Sequence, residues 1–120
     1  MNRLKEMVKA TLLRKKLSSG SKDDFELVGF RIVGHADYAG YGQDIVCAGA
    51  SAIAQAAVLG LRDIKCEISF HKKSGYLEAR ISEKALGEGA RAILKTVELG
   101  LLSLSKAYPG NINVDYHVVT

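Results

Sequence analysis

The chain has 120 residues, 48% of them hydrophobic and 25% charged, with a single proline. That balance describes one folded domain around one core and excludes a disordered tail or a pair of separate substrate and catalytic domains. A net charge of +4 favours an acidic or nucleic-acid-rich partner without requiring one.

Residues 1–6 precede the first patterned segment. From residue 7 to 13 the chain reads MVKATLL, with Val8, Ala10 and Leu12 on one face of a first strand. The glycine, serine and aspartate content of residues 18–24 marks an exposed loop. Alternation resumes over 25–34, with Val28, Phe30 and Ile32 on one side of a second strand. The stretch 35–43, HADYAGYGQ, holds Gly40 and Gly42 and reads as a loop. Residues 44–61 are alanine-rich and aliphatic with no proline and, before Gly60, only Gly49 as an interior glycine, so a buried helix is expected, sandwiched in its own domain or covered by a second subunit. The apolar part of that helix contains Ser51 and Gln55 and is short for a membrane span.

Cys66, Ile68 and Phe70 alternate as a half-buried strand, KKSG at 72–75 turns the chain, and Leu77, Ala79 and Ile81 point inward on a returning strand. Helical spacing runs over 84–106, entered through Ser82 as a cap and stopped by Pro109 and Gly110. Ile112, Val114, Tyr116 and Val118 alternate along a last strand. The expected fold is α+β, a mostly antiparallel sheet carrying two main helices in the order ββαββαβ.

Residues 34–51, GHADYAGYGQDIVCAGAS, place a histidine at a strand end, then a glycine-bearing loop, then a cysteine about one turn into a helix. A thiol becomes a nucleophile when a base or a positive field favours its thiolate, and a helix entrance supplies unpaired N–H groups and the positive end of the dipole. Cys47 is the candidate nucleophile and His35 the candidate base. Asp44, three residues before Cys47, either orients His35 or serves as a helix cap or first-turn acid. Ser51, four residues after it, either contacts substrate or bonds back into the helix. The loop with Tyr38, Gly40, Tyr41 and Gly42 is either a substrate-gated lid or a passive connector.

This block resembles the signature of the ribosomal-processing cysteine protease family Prp, through Gly34, His35 and Ala36, then Gly42, Asp44, Ile45, Val46, Cys47 and Ser51. The resemblance implies a bacterial homodimeric cysteine endopeptidase with a His/Cys dyad and no cofactor. Its implied substrate is the N-terminal extension of a large-subunit ribosomal protein, the twenty-seventh, with ribosome contact as a further possibility. On this reading residues 1–6 are an N-terminal extension, residues 7–120 are the protease domain, and the lengthened 18–24 loop departs from the pattern. Two cysteines and the absence of a secretory signal pattern point to a reducing cytoplasm.

Other residues carry bland readings. Cys66 reads as a structural thiol, His71 and His117 as solvated, and no Cys or His pair has the spacing of a zinc site. The glycines at 34, 40 and 42 form no nucleotide fingerprint. A rival reading, a non-enzymatic RNA- or ribosome-binding module, draws on the basic runs 14–16 and 72–73. It lacks an exposed aromatic platform, because each of the three phenylalanines fits an inward strand position.

Overall fold

The computed structural model describes residues 7–17, 24–34 and 41–120, and of 41–44 the backbone alone. In chain order the elements are β1 (Val8–Lys16), β2 (Phe25–Val33), α1 (Tyr41–Asp63), β3 (Ser69–Lys73), β4 (Tyr76–Arg80), α2 (Glu88–Ala107) and β5 (Ile112–Val119). This is the expected ββαββαβ order. The five strands form one sheet in the order β3-β4-β2-β1-β5. Its pairings are antiparallel except β1 with β5, which run parallel because the chain returns to the β1 edge through α2.

Both helices lie on the face of the sheet that the strand alternation makes apolar. Val8, Ala10 and Leu12 of β1, Phe30 and Ile32 of β2, and Leu77 and Ala79 of β4 are buried there. Against them α1 turns Val46, Ala50, Ala54, Ala57 and Leu61, and α2 turns Ala90, Leu94, Val97 and Leu101. Each set recurs every three or four residues, the spacing of one helix face. The alanines of α1 let its backbone approach the strands closely. By length and composition alone, Ile45–Asp63 is apolar enough to cross a membrane, yet its small residues form part of the core beneath the sheet. The helices interlock where Ile53 sits over Gly100 and Ile93 over Gly60, with 3.3 Å between each isoleucine and the position a Cβ would take.

Five boundaries differ from the sequence reading. First, β1 continues through Arg14, Lys15 and Lys16, whose backbones pair with Leu27, Glu26 and Phe25. Charge does not stop a strand whose side chains reach solvent or an aromatic ring. The register slips between Leu13 and Arg14, with Val28 as the extra residue on β2, and such a bulge re-aims the side chains beyond it.

Second, α1 opens at Tyr41, so Tyr41, Gly42 and Gln43 are helical backbone and not loop. Third, Cys66 is not in a strand. Lys65 takes a left-handed φ of 63°, Cys66 N–H donates to Leu61 O (2.9 Å) and Lys65 N–H to Arg62 O (3.0 Å), which closes α1 in a Schellman motif and uses the Cys66 amide. Strand β3 therefore starts at Ser69 and runs through Lys73, leaving Ser74 and Gly75 as the whole turn.

Fourth, Ser82 makes no side-chain cap. It precedes a short 3-10 turn at Glu83–Ala85, and α2 begins separately at Glu88 after Gly87. Last, the apolar alternation of β5 fades outward: Ile112 is buried, but Tyr116 and Val118 are exposed, as is Phe25 at the start of β2. Phe25 is thus the exception to the inward phenylalanines. The segments 1–6 and 18–23 lie outside the described residues.

Candidate active site

Strand β2 ends at Gly34, and the tip of the β3–β4 hairpin folds against it. Gly34 N–H donates to Gly75 O at 3.0 Å. Gly75 has a φ of 72°, the left-handed region that glycine enters without a Cβ penalty, and a Cβ there would meet Gly34 O at 2.5 Å. Glycine is therefore required twice over at this position, for the turn and for the close approach.

On the other side of Gly34 stands α1. A Cβ placed on Gly34 would meet Cys47 Sγ at 3.5 Å, so the sulfur faces the end of β2. Cys47 is half-buried and, like Cys66, is not in a disulfide. Sulfur, hairpin tip and strand end together enclose a cleft of about 270 Å³ lined by Gly34, Cys47, Ser51, Lys72, Lys73 and Tyr76, among others. The cleft is mostly apolar, with two ammonium groups at its hairpin wall.

Ser51 lies one turn beyond Cys47 in the same cleft. Its Oγ accepts from Gln55 Nε2 at 2.8 Å, and Gln55 Oε1 accepts from Lys72 Nζ at 3.1 Å. This three-residue chain ties α1 to the hairpin across the cleft. Gln55, Lys72, Lys73 and Tyr76 were not among the site residues expected from sequence. Strand parity and the tight two-residue turn at Ser74–Gly75 were the available signals, since they decide which end of the sheet the hairpin tip reaches.

Of the other expected site residues, His35, Tyr38 and Gly40 lie outside the described residues. Tyr41, Gly42 and Asp44 belong to the first turns of α1, and their side chains are likewise outside the description. Cys47 sits six residues after Tyr41, nearly two turns into α1 rather than one. Its own N–H is therefore bonded within the helix, and the unpaired amides of the described helix start belong to residues 41–43. Helical side chains lean toward the N-terminus, which carries the Cys47 side chain back over that first turn.

Cys66 stands elsewhere, on the α1 exit. Its Sγ lies 3.6 Å from Ala85 O, and burial, then the neighbouring Glu67 carboxylate, raise its thiol above the ordinary range. His71 and His117 are exposed. Among the described residues no cluster of His, Cys, Asp and Glu could hold a metal ion.

Residues 7–113 match the family described as cysteine protease Prp. The chain belongs to that family. A ribosomal processing cysteine protease Prp of Staphylococcus aureus is 36% identical over 86 residues, which span 69% of this chain and 80% of that one. The Bacillus subtilis protein of the same name is 29% identical, covering 94% of this chain and 100% of its own.

Among solved structures, a Prp protease from S. aureus in complex with a substrate peptide superposes with a TM-score of 0.73 at 25% identity, over 90% of this chain and 99% of that one. SMU.848 from Streptococcus mutans shares the fold, with a TM-score of 0.77 at 24% identity, over 95% of this chain and 97% of that one. Family membership makes the protein a cysteine endopeptidase. Of its two thiols, Cys47 faces an open cleft and Cys66 packs against a backbone carbonyl.

Proposed function

We propose that this protease removes the N-terminal extension of a large-subunit ribosomal protein, the twenty-seventh, with Cys47 as nucleophile and His35 as general base. The observation that carries the assignment is the position of Cys47 Sγ beside Gly34 in the cleft. One peptide link separates Gly34 from His35, so the Cα of the histidine lies about 3.8 Å from that of Gly34. The relatives support the substrate class: two are named ribosomal processing proteases, and a solved S. aureus Prp carries a covalently linked product peptide.

In the reaction, Cys47 thiolate attacks the scissile carbonyl, and the unpaired N–H groups in the first turn of α1 stabilise the oxyanion. His35, holding the thiol proton, delivers it to the leaving amine. It then takes a proton from water, whose oxygen attacks the thioester and releases the acid product and the thiol. Lys72 and Lys73 in the cleft wall favour the negative charge of the tetrahedral intermediate. Asp44 orients the base, and Ser51 and Gln55 hold Lys72 at the rim.

We further propose a cytoplasmic homodimer. The outer surface of the helices leaves Leu59, Leu99 and Leu102 exposed, and a second copy covering them would bury that area. Sedimentation of wild type against Leu59→Glu tests this, and a wild-type monomer at micromolar concentration would refute it.

The decisive experiment mixes the protein with the extended ribosomal precursor and follows the cleaved product by mass spectrometry. Cys47→Ala and His35→Ala should each lose at least about a thousand-fold in rate, whereas Cys66→Ala should keep it. Undiminished cleavage by Cys47→Ala would overturn the assignment.

A further inference from the structure

A second charged cleft lies at the end of the sheet opposite the cysteine site. Residues Arg14, Phe25, Glu26, Arg91, Lys95 and Tyr116, with Glu98 beneath, enclose about 410 Å³ between α2 and the strand ends. Arg14 is six residues along β1 from Val8, which touches Gly34, so at about 3.3 Å per residue the two clefts are roughly 20 Å apart. The proteolytic mechanism uses none of these groups.

The bulge between Leu13 and Arg14 places the Arg14 guanidinium between two rings, 4.9 Å from the Phe25 centroid and 5.0 Å from that of Tyr116. Phe25 and Tyr116 are each 39% exposed as residues. The other charges are matched in pairs. Arg91 Nε donates to Glu26, Lys95 Nζ donates to Glu98 Oε1 at 2.9 Å, and Tyr116 Oη donates to Glu98 Oε2 at 2.5 Å. Among the described residues of the cleft three cations, Arg14, Arg91 and Lys95, face two carboxylates, Glu26 and Glu98, and the buried Arg14 Nε has no hydrogen-bond partner there. Lys16, exposed at the end of the same strand, extends the positive edge.

We propose that this cleft binds a single-stranded polynucleotide, one phosphate pairing with Arg14 while an adjacent base stacks on the exposed surface of Phe25 or Tyr116. A guanidinium beside aromatic rings satisfies both halves of a nucleotide, the anion and the flat base, which is how sequence-tolerant single-strand sites are built. An acidic peptide fits less well. Its carboxylates use the arginine but not the rings, and a run of them meets Glu26 and Glu98 in the same walls. The exposed aromatic platform whose absence argued against RNA binding is thus present at Phe25, the residue whose burial the sequence pattern misjudged. The site stands apart from Cys47 and does not depend on the protease assignment.

Fluorescence anisotropy with short labelled oligouridylate and oligothymidylate, at low salt and over a salt series, tests the proposal on the full chain carrying Cys47→Ala. Binding should persist in that background, so its loss cannot be confused with failure of the catalytic reading. Arg14→Gln should weaken binding about ten-fold or more and flatten the logarithmic salt slope by about 0.7, the share of one phosphate on a single strand. Phe25→Ala, at an exposed strand start, should also weaken binding about ten-fold, and it carries the test if Arg14→Gln does not fold. Preference for the uridylate or for the thymidylate probe identifies RNA or DNA as the better ligand, and either supports the site. No binding of either probe at low salt, equal binding by both cleft variants, or displacement of the probe by polyglutamate at lower concentration than by unlabelled oligonucleotide would overturn it.

Discussion

Replacing Gly75 with alanine perturbs the site through backbone geometry alone. At a φ of 72° an alanine carries the left-handed penalty of roughly 1 to 2 kcal/mol. Its Cβ would also fall 2.5 Å from Gly34 O, a backbone atom that moves only if the hairpin tip withdraws. Withdrawal breaks the 3.0 Å bond from Gly34 N–H to Gly75 O, worth about 1 kcal/mol. The sum is about 2 to 3 kcal/mol, and for a domain of this size each kcal/mol lowers the melting temperature by roughly 3 to 6 °C. Thermal unfolding followed by circular dichroism should therefore show a drop of about 6 to 18 °C. Peptide cleavage below the new transition should fall as well, because the displaced wall carries Lys72 and Lys73 and the displaced strand end leads into His35. Gly110→Ala is the control, since a Cβ there meets nothing within 4 Å. Equal melting temperatures and equal turnover for the two variants would refute the reasoning.

Three other outcomes follow from the same structure. Alkylation with iodoacetamide at neutral pH, mapped by peptide mass spectrometry, should modify Cys47 before Cys66, whose raised thiol holds less thiolate, with the gap narrowing as pH rises; preferential labelling of Cys66 would contradict this. Lys65→Gly should raise stability by roughly 0.5 to 1 kcal/mol, because the left-handed C-terminal position of α1 is currently held by a residue with a Cβ; urea unfolding measures it, and a loss of stability would count against the Schellman assignment. The Tyr116 phenol, donating to Glu98 and partly buried, is pushed up to about 12. Since an unfolded tyrosine ionises near pH 10, the folded state binds more protons above that pH. The contribution is complete below about pH 10 and is lost as pH rises through 12. The stability difference between wild type and Tyr116→Phe should be flat to about pH 10 and then decline modestly, solvent screening keeping it small; a difference that grows with pH would show that the hydrogen bond to Glu98 is not made.

Periodicity carried the fold because the core is built from it. Val8, Ala10 and Leu12, then Phe30 and Ile32, then Leu77 and Ala79 are buried as their alternation requires, and α2 turns inward the residues its 3.6 period selects. What the pattern could not carry were features decided by backbone hydrogen bonding. Cys66 alternates correctly with Ile68 and Phe70, but its N–H belongs to the end of α1, a demand that side-chain hydropathy does not register. Phe25 lies five residues before Phe30, an odd separation that unbroken alternation assigns to the opposite face, and the extra residue at Val28 reverses that parity so that Phe25 shares a face with Arg14. One bulge therefore explains why Phe25 and Arg14 meet, while the exposure of Phe25 goes with its place as the first residue of β2.

The cysteine site divides along the same line. Cys47 and Ser51 are four residues apart on one helix, so their shared cleft was legible from spacing. The opposite wall comes from a hairpin about twenty-five residues further on, and its placement rests on the β2–β4 register, in which Val33 opposes Tyr76. Shifting that register by one residue would turn Leu77 and Ala79 outward and Tyr76 toward the core. It would also pull Gly75 away from Gly34, to which it is hydrogen-bonded. Core packing and cleft assembly are thus enforced by one register, so substitutions that loosen the β2–β4 pair should weaken stability and peptide turnover together, even where they touch neither Cys47 nor His35. Gly29, whose Cβ would meet Ala79 O at 2.2 Å on the same pair, is where that coupling is most exposed to a single methyl group.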